Sequence, residues 1–245
     1  MFETVHSKKS FYHNWLHSYL NKLKNQDIPP IVLNQAIIER KHHVKNLGVI
    51  FDESFTWTKH VNKIISSAFF KLRQVYRYKK FLSHKSMVNI CESYVLCHFN
   101  YCDSVYFNIT EILKHKIQKV QNTCVRFIFG LRKYDHISTC LKKLDTLNME
   151  NRRILHGLTL MWKIKNKVAP SYLVERITLH ENVHRYNTRN RHNIVLDRSN
   201  TTLRQKSFFP FFPKLYNEVT SDTKYLNISL KTFQTYVKKY LKNKI

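Results

Sequence analysis

The side chains most able to do chemistry in this chain are cations that recur at helical spacing after Trp57. They are Lys59, Lys63, Arg73, Arg77 and Lys80. No carboxylate lies between Glu53 and Glu92 to neutralise them, whereas an ordinary solvated surface mixes charges of both signs. Cations attract phosphate groups over long range, and such contacts position a backbone without reading bases. The stripe therefore predicts sequence-independent phosphate contact, with an ordinary solvated face as the alternative.

Further basic and aromatic groups are weaker candidates for the same contact. The third predicted helix carries Lys116, Lys119 and Arg126. An arginine-rich segment between Arg185 and Arg204 either wraps RNA or is disordered, and the sequence does not separate these alternatives. The aromatic run from Phe208 to Phe212 could stack on unpaired bases. Such clusters more often pack on a core, which is the interpretation we favour.

Other kinds of site are disfavoured by residue type and spacing. Asp52 and Glu53 are adjacent at a predicted strand end, so their side chains point to different sides; a helix-start or turn role is favoured over a metal site. The 14 histidines form no HExxH or HxH pattern, and the five cysteines form no CxxC pair. Only three glycines occur, and their spacing fits no glycine-rich phosphate-binding loop. We predict no catalytic residue, metal ligand or cofactor in this chain.

The composition favours a polyanionic partner. Lys and Arg number 42 against 16 Asp and Glu, which gives a net charge of +26. Nucleic acid is the first candidate and an anionic membrane surface the second; we expect RNA, DNA or an RNA–DNA hybrid rather than a membrane. No apolar run is long enough to cross a bilayer, and the N-terminus does not resemble a signal peptide. We expect an intracellular protein, in the nucleus or the cytoplasm, with reduced cysteines.

The elements that must carry these side chains are a small antiparallel β element followed by helices. Strands are predicted at residues 31–33, 36–38 and 44–51, which together would form one three-stranded sheet. Residues 180–205 show no sustained periodicity and are predicted to be an extended linker or arm. Pro210 and Pro213 are predicted to keep residues 207–216 from being the interior of a helix.

Apolar residues at three- to four-residue spacing predict the helices. They cover residues 58 to about 80, 83 to about 105, 110 to the residue before Gly130, part of 135–144, 148–167, a short stretch from Ala169-Pro170, and 229–242. Ser83 is the predicted N-cap of the second helix. The predicted buried face of that helix consists of Met87, Ile90, Tyr94, His98, Tyr101 and Val105.

Short motifs occur in a fixed order along the chain. They are V-H-S at Val5, K-x-LGV-x-x-D from Lys45 to Asp52 with Trp57 and His60 after it, N-Y-C at Asn100, Q-x-x-Q-N with R-x-I from Gln118 to Ile128, P-x-Y-L at Pro170, and K-L-Y-N at Lys214. Over about residues 5 to 241 this order resembles the C-terminal part of RNA-directed DNA polymerases, the reverse transcriptases of non-LTR (LINE-type, jockey-like) retrotransposons.

The resemblance implies a thumb and a connection that grip the template–primer duplex through its backbone. It divides the chain into a remnant of the last palm strands (1–52), a bundle-like helical thumb and connection (53–179), a basic linker or arm (180–206) and an aromatic segment with a basic C-terminal helix (207–245). The family holds two metal ions with aspartates of a [YF]-x-DD hairpin, and this chain has no Asp-Asp pair. We expect a fragment without polymerase activity of its own, with Mg²⁺ belonging to the missing palm. The alternative is a free-standing basic module, derived from such an element, that binds RNA or a protein.

Overall fold

The computed structural model describes residues 32–33, 35–37, 41–183, 186, 190–221 and 228–243. The chain divides into two compact units, Met1–Trp57 and Thr58–Ile245. Helices dominate the described residues and short antiparallel strands precede them, so the predicted fold class is confirmed. The V-H-S motif at Val5, and Arg185 and Arg189 of the arginine-rich segment, lie outside the described residues.

The first unit contains four short strands, and the second contains the helices. The strands are β1 (Val32–Leu33), β2 (Ala36–Ile37), β3 (His43–Asn46) and β4 (Val49–Asp52). The helices are α1 (Thr58–Tyr76), α2 (His84–Ile90), α3 (Cys97–Asn100), α4 (Glu111–Phe129), α5 (Ser138–Leu144), α6 (Met149–Lys165), α7 (Ser171–Val174), α8 (His180–Val183), α9 (Thr202–Gln205), α10 (Phe208–Val219) and α11 (Leu230–Asn243).

The strand predicted at residues 44–51 is a hairpin. β3 pairs antiparallel with β4, with Asn46 opposite Val49. Leu47 and Gly48 connect them, and both have positive φ (45° and 87°), as a two-residue turn of the I′ type requires. The prediction of one continuous strand is wrong because the Leu-Gly pair forms the turn between two strands.

A separate pair of strands, β1 and β2, is also antiparallel. Within the described residues the two pairs form two sheets, so the predicted three-stranded sheet is wrong. Strand pairs this short are marginal by themselves. Aromatic packing supports the hairpin, because the Phe51 ring meets Phe55 and Trp57 edge-on at 6.3 and 5.3 Å.

Asp52 and Glu53 contact different partners at the end of β4. The backbone N–H of Thr56 donates to Asp52 Oδ1 over 2.7 Å, and the Thr56 hydroxyl donates to Asp52 Oδ2. The other carboxylate, Glu53, lies 2.6 Å from His42 Nδ1. Asp52 therefore has the turn role expected from the sequence.

α1 and α4 pack together at the start of the helical unit. α4 ends at Phe129, and Gly130 directly after it has a φ of 69°, which gives the predicted left-handed stop. α1 ends at Tyr76, short of the predicted Lys80, and Lys79–Phe81 forms a separate 3₁₀ turn. The prediction of one helix to residue 80 is therefore wrong at its end.

The segment predicted as one helix over residues 83–105 ends at Asn100 and changes its winding on the way. Ser83 caps α2 as predicted, with its Oγ accepting from Ser86 N over 3.1 Å. Cys91–Leu96 is π-helical, and in this segment the buried positions lie one residue later than predicted. The residues buried are Met87, Cys91, Val95, Leu96 and Phe99. The predicted face is wrong beyond Met87, and its members Tyr94, Tyr101 and Val105 are exposed.

The second half of the helical unit packs around α6, which contacts α10 and α11. The shared core contains Leu158, Met161, Ile164, Phe212, Tyr216, Phe233, Val237 and Leu241. Gly157 lies directly against the Phe212 ring, because a Cβ added there would be 2.1 Å from two ring carbons. The lack of a side chain at Gly157 therefore allows α6 and α10 to approach.

α10 contains both prolines that were predicted to prevent a helix, and that prediction is wrong. Pro210 lies in the first turn, where a missing N–H costs no helical hydrogen bond. Pro213 lies inside the helix and removes one such bond. Burial offsets this loss, because Phe212 and Tyr216 are fully buried, and burying a large apolar side chain stabilises a fold by roughly 1.5–3 kcal/mol.

Part of the predicted linker at residues 180–206 is docked on the core. Ile194 is buried and forms an isolated antiparallel bridge with Leu179. Asn217 of α10 clamps the same backbone: Ile194 N–H donates to Asn217 Oδ1 over 2.9 Å, and Asn217 Nδ2 donates to Ile194 O over 2.8 Å. The expectation of an extended arm therefore does not describe the stretch around Ile194.

Candidate nucleic-acid interface

The basic stripe predicted from the sequence lies on the solvent side of α1. Its members Lys59, Lys63, Arg73 and Arg77 are all exposed. At 3.6 residues per turn Lys59, Lys63 and Arg73 fall within about a quarter of the helix circumference. Arg77 is the first residue after α1, and the exposed Lys80 lies in the 3₁₀ turn that follows. The structure thus brings three of the five predicted cations onto one helix face and places the other two directly after it.

α4 lies beside α1 and adds two of the weaker candidates to this surface. Near the start of both helices Lys116 Nζ donates to Asn62 Oδ1 over 3.4 Å. Near their ends the Tyr76 and Phe127 rings lie 5.7 Å apart. The helices therefore run parallel, and Lys119 lies about one turn further along from Lys116. We call the exposed set of Lys59, Lys63, Arg73, Arg77, Lys116 and Lys119 the basic face.

Arg126, the third cation predicted on α4, contacts the protein itself. Its Nη2 donates to the backbone oxygen of Asp135 over 3.3 Å, and its buried Nε has no hydrogen-bond partner in the described part of the chain. The Asp135 carboxylate accepts from Arg132 N over 2.7 Å. Arg126 therefore holds the loop after α4, which leaves it less available to a phosphate than the six cations of the basic face.

The charge of the basic face is not neutralised within the described residues. None of its six cations forms an ion pair there. Nearby carboxylates pair elsewhere: Glu111 and Glu150 both contact Lys114 Nζ, at 2.8 and 2.6 Å. Similarly, Glu92 binds Arg152 at 2.6 Å. Unpaired cations on one surface raise the local concentration of anions.

One exposed aromatic ring lies among the cations of the basic face and a second follows α1 in the chain, and neither was predicted from the sequence. Phe70 is 62% exposed and lies on the same side of α1 as Lys63. Phe81, in the 3₁₀ turn beside Lys80, is 85% exposed. Phe70 could have been identified from the sequence, because helical spacing places it on the side of α1 that carries the cations rather than on the apolar side.

A buried polar cluster beneath the start of α1 was also missed. Asp103 is 3% exposed, and one of its carboxylate oxygens lies 2.5 Å from His156 Nδ1 on α6. The fully buried Tyr106 donates its hydroxyl proton to the backbone oxygen of Phe99 over 2.9 Å. The His60 ring of α1 lies 5.1 Å from the Tyr106 ring. The cluster therefore ties α1 and α6 to the loop between α3 and α4.

Burial sets the protonation of this cluster. Desolvation raises the pKa of Tyr106 and lowers the pKa of the buried Arg153 guanidinium. Desolvation also lowers the pKa of His60, and the positive charge of Lys63 lowers it further. These directions favour a neutral phenol and a neutral imidazole in the folded protein.

Among the described residues no group of three or more His, Cys, Asp or Glu side chains could hold a metal ion. All five cysteines are free, and Cys91, Cys124 and Cys140 are buried. A hydrogen bond with Cys91, together with burial, raises the pKa of the Cys124 thiol, which keeps it protonated. None of the described helices has the length and apolarity that crossing a membrane requires.

The basic face is thus the arrangement with the clearest chemical use, since it can contact a row of phosphates. The buried cluster has a structural explanation, because its members join three elements. Comparison of the chain with protein-family models, curated proteins and solved structures found no match. The chain's own residues therefore carry the assignment of a function.

Proposed function

We propose that this chain binds a nucleic-acid duplex, foremost an RNA–DNA hybrid, through the phosphate backbone. We propose further that it is the thumb and connection region of a non-LTR retrotransposon reverse transcriptase. The observation that supports binding is the basic face, with five exposed cations on two parallel helices, the exposed Arg77 directly after the first of them, and no ion pair of these cations among the described residues. Contacts of this kind hold a backbone and carry no sequence information.

The length of the basic face suits a duplex. Lys59 and Arg77 are separated by about 27 Å along the axis of α1, at 1.5 Å per residue. A B-form strand advances about 3.4 Å per phosphate, so the face matches roughly eight phosphates in length. Six cations over that distance could each contact one phosphate.

The assignment to a reverse transcriptase rests on the order of the motifs, and several motif residues hold the helical unit together. Gln118 and Gln121 fix the start of α6: Gln118 Oε1 accepts from Met149 N over 3.0 Å, and Gln121 Nε2 donates to Leu147 O over 2.8 Å. Asn217 of the K-L-Y-N motif clamps the chain at residue 194. These motif residues therefore stabilise the packing of the helical unit that carries the basic face.

The test is a salt titration of binding to a labelled RNA–DNA hybrid. Each phosphate contact contributes about −0.9 to the slope of log affinity against log salt concentration. Replacing Lys63, Arg73 and Arg77 with Ala should therefore make the slope shallower by about 2 to 3. A hybrid of scrambled sequence should bind equally well.

The matched control is the triple variant Lys143→Ala, Lys231→Ala, Lys239→Ala. It removes the same charge from exposed positions on α5 and α11, and it should change the slope much less. Equal slopes for the two triple variants would mean that net charge, rather than the basic face, holds the duplex. Parent affinity that does not fall with salt would overturn phosphate binding altogether.

The second candidate is a free-standing basic module that binds RNA or a protein partner. The observation that favours it is the core of the helical unit, in which α6, α10 and α11 bury a common set of side chains. Such a module should melt cooperatively, which differential scanning calorimetry measures. A broad, non-cooperative melt of the full chain would remove this candidate.

A further inference from the structure

We infer that the basic face takes nucleic acid with unpaired bases, and that Phe70 and Phe81 stack on those bases. This inference rests on the proposed phosphate-backbone binding and extends its ligand from a duplex to single strands and to junctions between a single strand and a duplex. Sites for single strands combine a basic track with aromatic side chains, because every base has a face on which an aromatic ring can stack.

The position of Phe70 is the first support. Lys63 precedes it and Arg77 follows it by seven residues, which is two turns, or about 10 Å along the axis of α1. Lys63 and Phe70 project from the same quarter of α1, and Arg77 is the first residue after the helix. A strand whose phosphates contact both Lys63 and Arg77 would therefore pass close to the Phe70 ring.

The exposure of the two rings is the second support. Phe70 is 62% exposed and Phe81 is 85% exposed, and neither packs on another ring or lies under a cation in the described part of the chain. The neighbouring Tyr76 differs, since it lies 5.7 Å from the Phe127 ring. The large apolar surfaces of Phe70 and Phe81 thus remain available to a ligand.

The positive charge around Phe70 and Phe81 favours nucleic acid over a protein as the ligand. Exposed Arg73, Arg77 and Lys80 separate Phe70 from Phe81 along the chain. The cores of protein–protein interfaces are depleted in charged residues, lysine in particular, whereas cations beside aromatic rings are the usual composition of single-strand sites.

The test uses the full chain and three fluorescently labelled ligands of one length: an oligo(dT) strand, an oligo(U) strand and a blunt RNA–DNA hybrid. Phe70→Ala and Phe81→Ala should each weaken single-strand binding by about tenfold, since stacking on one base contributes about 1–3 kcal/mol. Blunt-hybrid affinity should change less than threefold. Phe70→Trp should retain single-strand affinity and Phe70→Leu should lose it, a contrast that separates stacking on the ring from bulk apolarity.

The matched control is Tyr172→Ala, which removes a ring that is 67% exposed on α7, a helix that packs on α6. It should leave all three affinities unchanged. Unchanged single-strand affinity in Phe70→Ala and Phe81→Ala, with binding still reduced by the triple variant at Lys63, Arg73 and Arg77, would overturn this inference alone and point to a protein on the two rings. No binding of any ligand by the parent chain would overturn the proposed function together with it.

Discussion

At the scale of single residues, the hydrogen bonds of buried and partly buried polar side chains constrain the fold more than the exposed cations do. Gln121 is 1% exposed, accepts from Gln118 Nε2 over 2.8 Å and donates to Leu147 O over 2.8 Å. Arg152 donates to both carboxylate oxygens of Glu92 at 2.6 Å, a bidentate pair that joins α6 to the π-helical segment. Leaving a buried partner unsatisfied costs about 1–3 kcal/mol, so these residues are constrained by the fold.

His60 gives the residue-scale prediction. Its pKa is lowered by desolvation and by Lys63, so at pH values below its normal pKa of about 6.5 the unfolded chain binds more protons than the folded one. The contribution of neutral His60 to stability is therefore complete above pH 6.5 and is lost as the pH falls through the lowered folded-state pKa. The free energy of unfolding should be smaller at pH 5.5 than at pH 7.5, as measured by urea denaturation.

His60→Phe removes this titration and keeps a ring against Tyr106. The difference in unfolding free energy between pH 7.5 and pH 5.5 should shrink in this variant. It should not vanish, because burial and the charge of Lys71 also lower the pKa of His98. His136→Phe, at an exposed position, is the control. An unchanged pH dependence in His60→Phe would mean that His60 does not resist protonation in the folded protein.

At the residue scale, the positions of the exposed cations could be predicted from the sequence, but the contacts that other side chains form could not. Lys59, Lys63 and Arg73 could be placed on one face because helical spacing is readable from residue numbers alone. The different role of Arg126 could not, because it depends on a loop that returns Asp135 to its side chain. The contact between Asp103 and His156 joins residues far apart in the sequence, which no local pattern encodes.

At the scale of elements, regular winding was predictable and departures from it were not. α4 and α11 begin and end within one residue of the predicted bounds, since each has a sustained 3.6-residue period and a clear end. The buried face of the π-helical segment could not be predicted from a 3.6-residue period, because a wider turn shifts the buried positions that follow it. α10 forms despite two prolines because tertiary burial outweighs the lost hydrogen bond.

Gly157 gives the element-scale prediction. Gly157→Ala would place a Cβ 2.1 Å from Phe212 ring carbons, so α6 and α10 would have to separate. Overpacking of a core costs about 1–3 kcal/mol, which exceeds the gain of up to about 1 kcal/mol in helix propensity from Gly to Ala. Urea denaturation should therefore show net destabilisation.

A double-mutant cycle tests the cause. Phe212→Leu leaves room for the new methyl group, so the loss in the double variant Gly157→Ala, Phe212→Leu should be smaller than the sum of the two single losses. Additive losses would mean that the ring is not the obstacle. Ala substitution of Ser66, on the exposed side of α1, should leave stability nearly unchanged and serves as the control.

At the scale of the whole molecule, net charge opposes folding and favours binding. A charge of +26 repels itself, and salt screens that repulsion, since the Debye length falls from about 30 Å at 0.01 M to about 10 Å at 0.1 M. The same salt weakens phosphate contacts by restoring counterions to the nucleic acid. Added salt should therefore raise the stability of the free protein and lower its affinity for nucleic acid.

The opposite effects of salt on folding and on binding can be tested by measuring the melting temperature, with and without nucleic acid, at 0.01 to 0.3 M salt. The melting temperature of the free protein should rise with salt. With RNA–DNA hybrid at 100 times its dissociation constant at low salt, binding adds about 2.7 kcal/mol, or about 5–10 °C for a chain of this size, and this increment should disappear as salt increases. The triple variant at Lys63, Arg73 and Arg77 should lose the increment at lower salt than the parent. An increment that survives 0.3 M salt would mean that contacts other than phosphate–cation pairs hold the duplex.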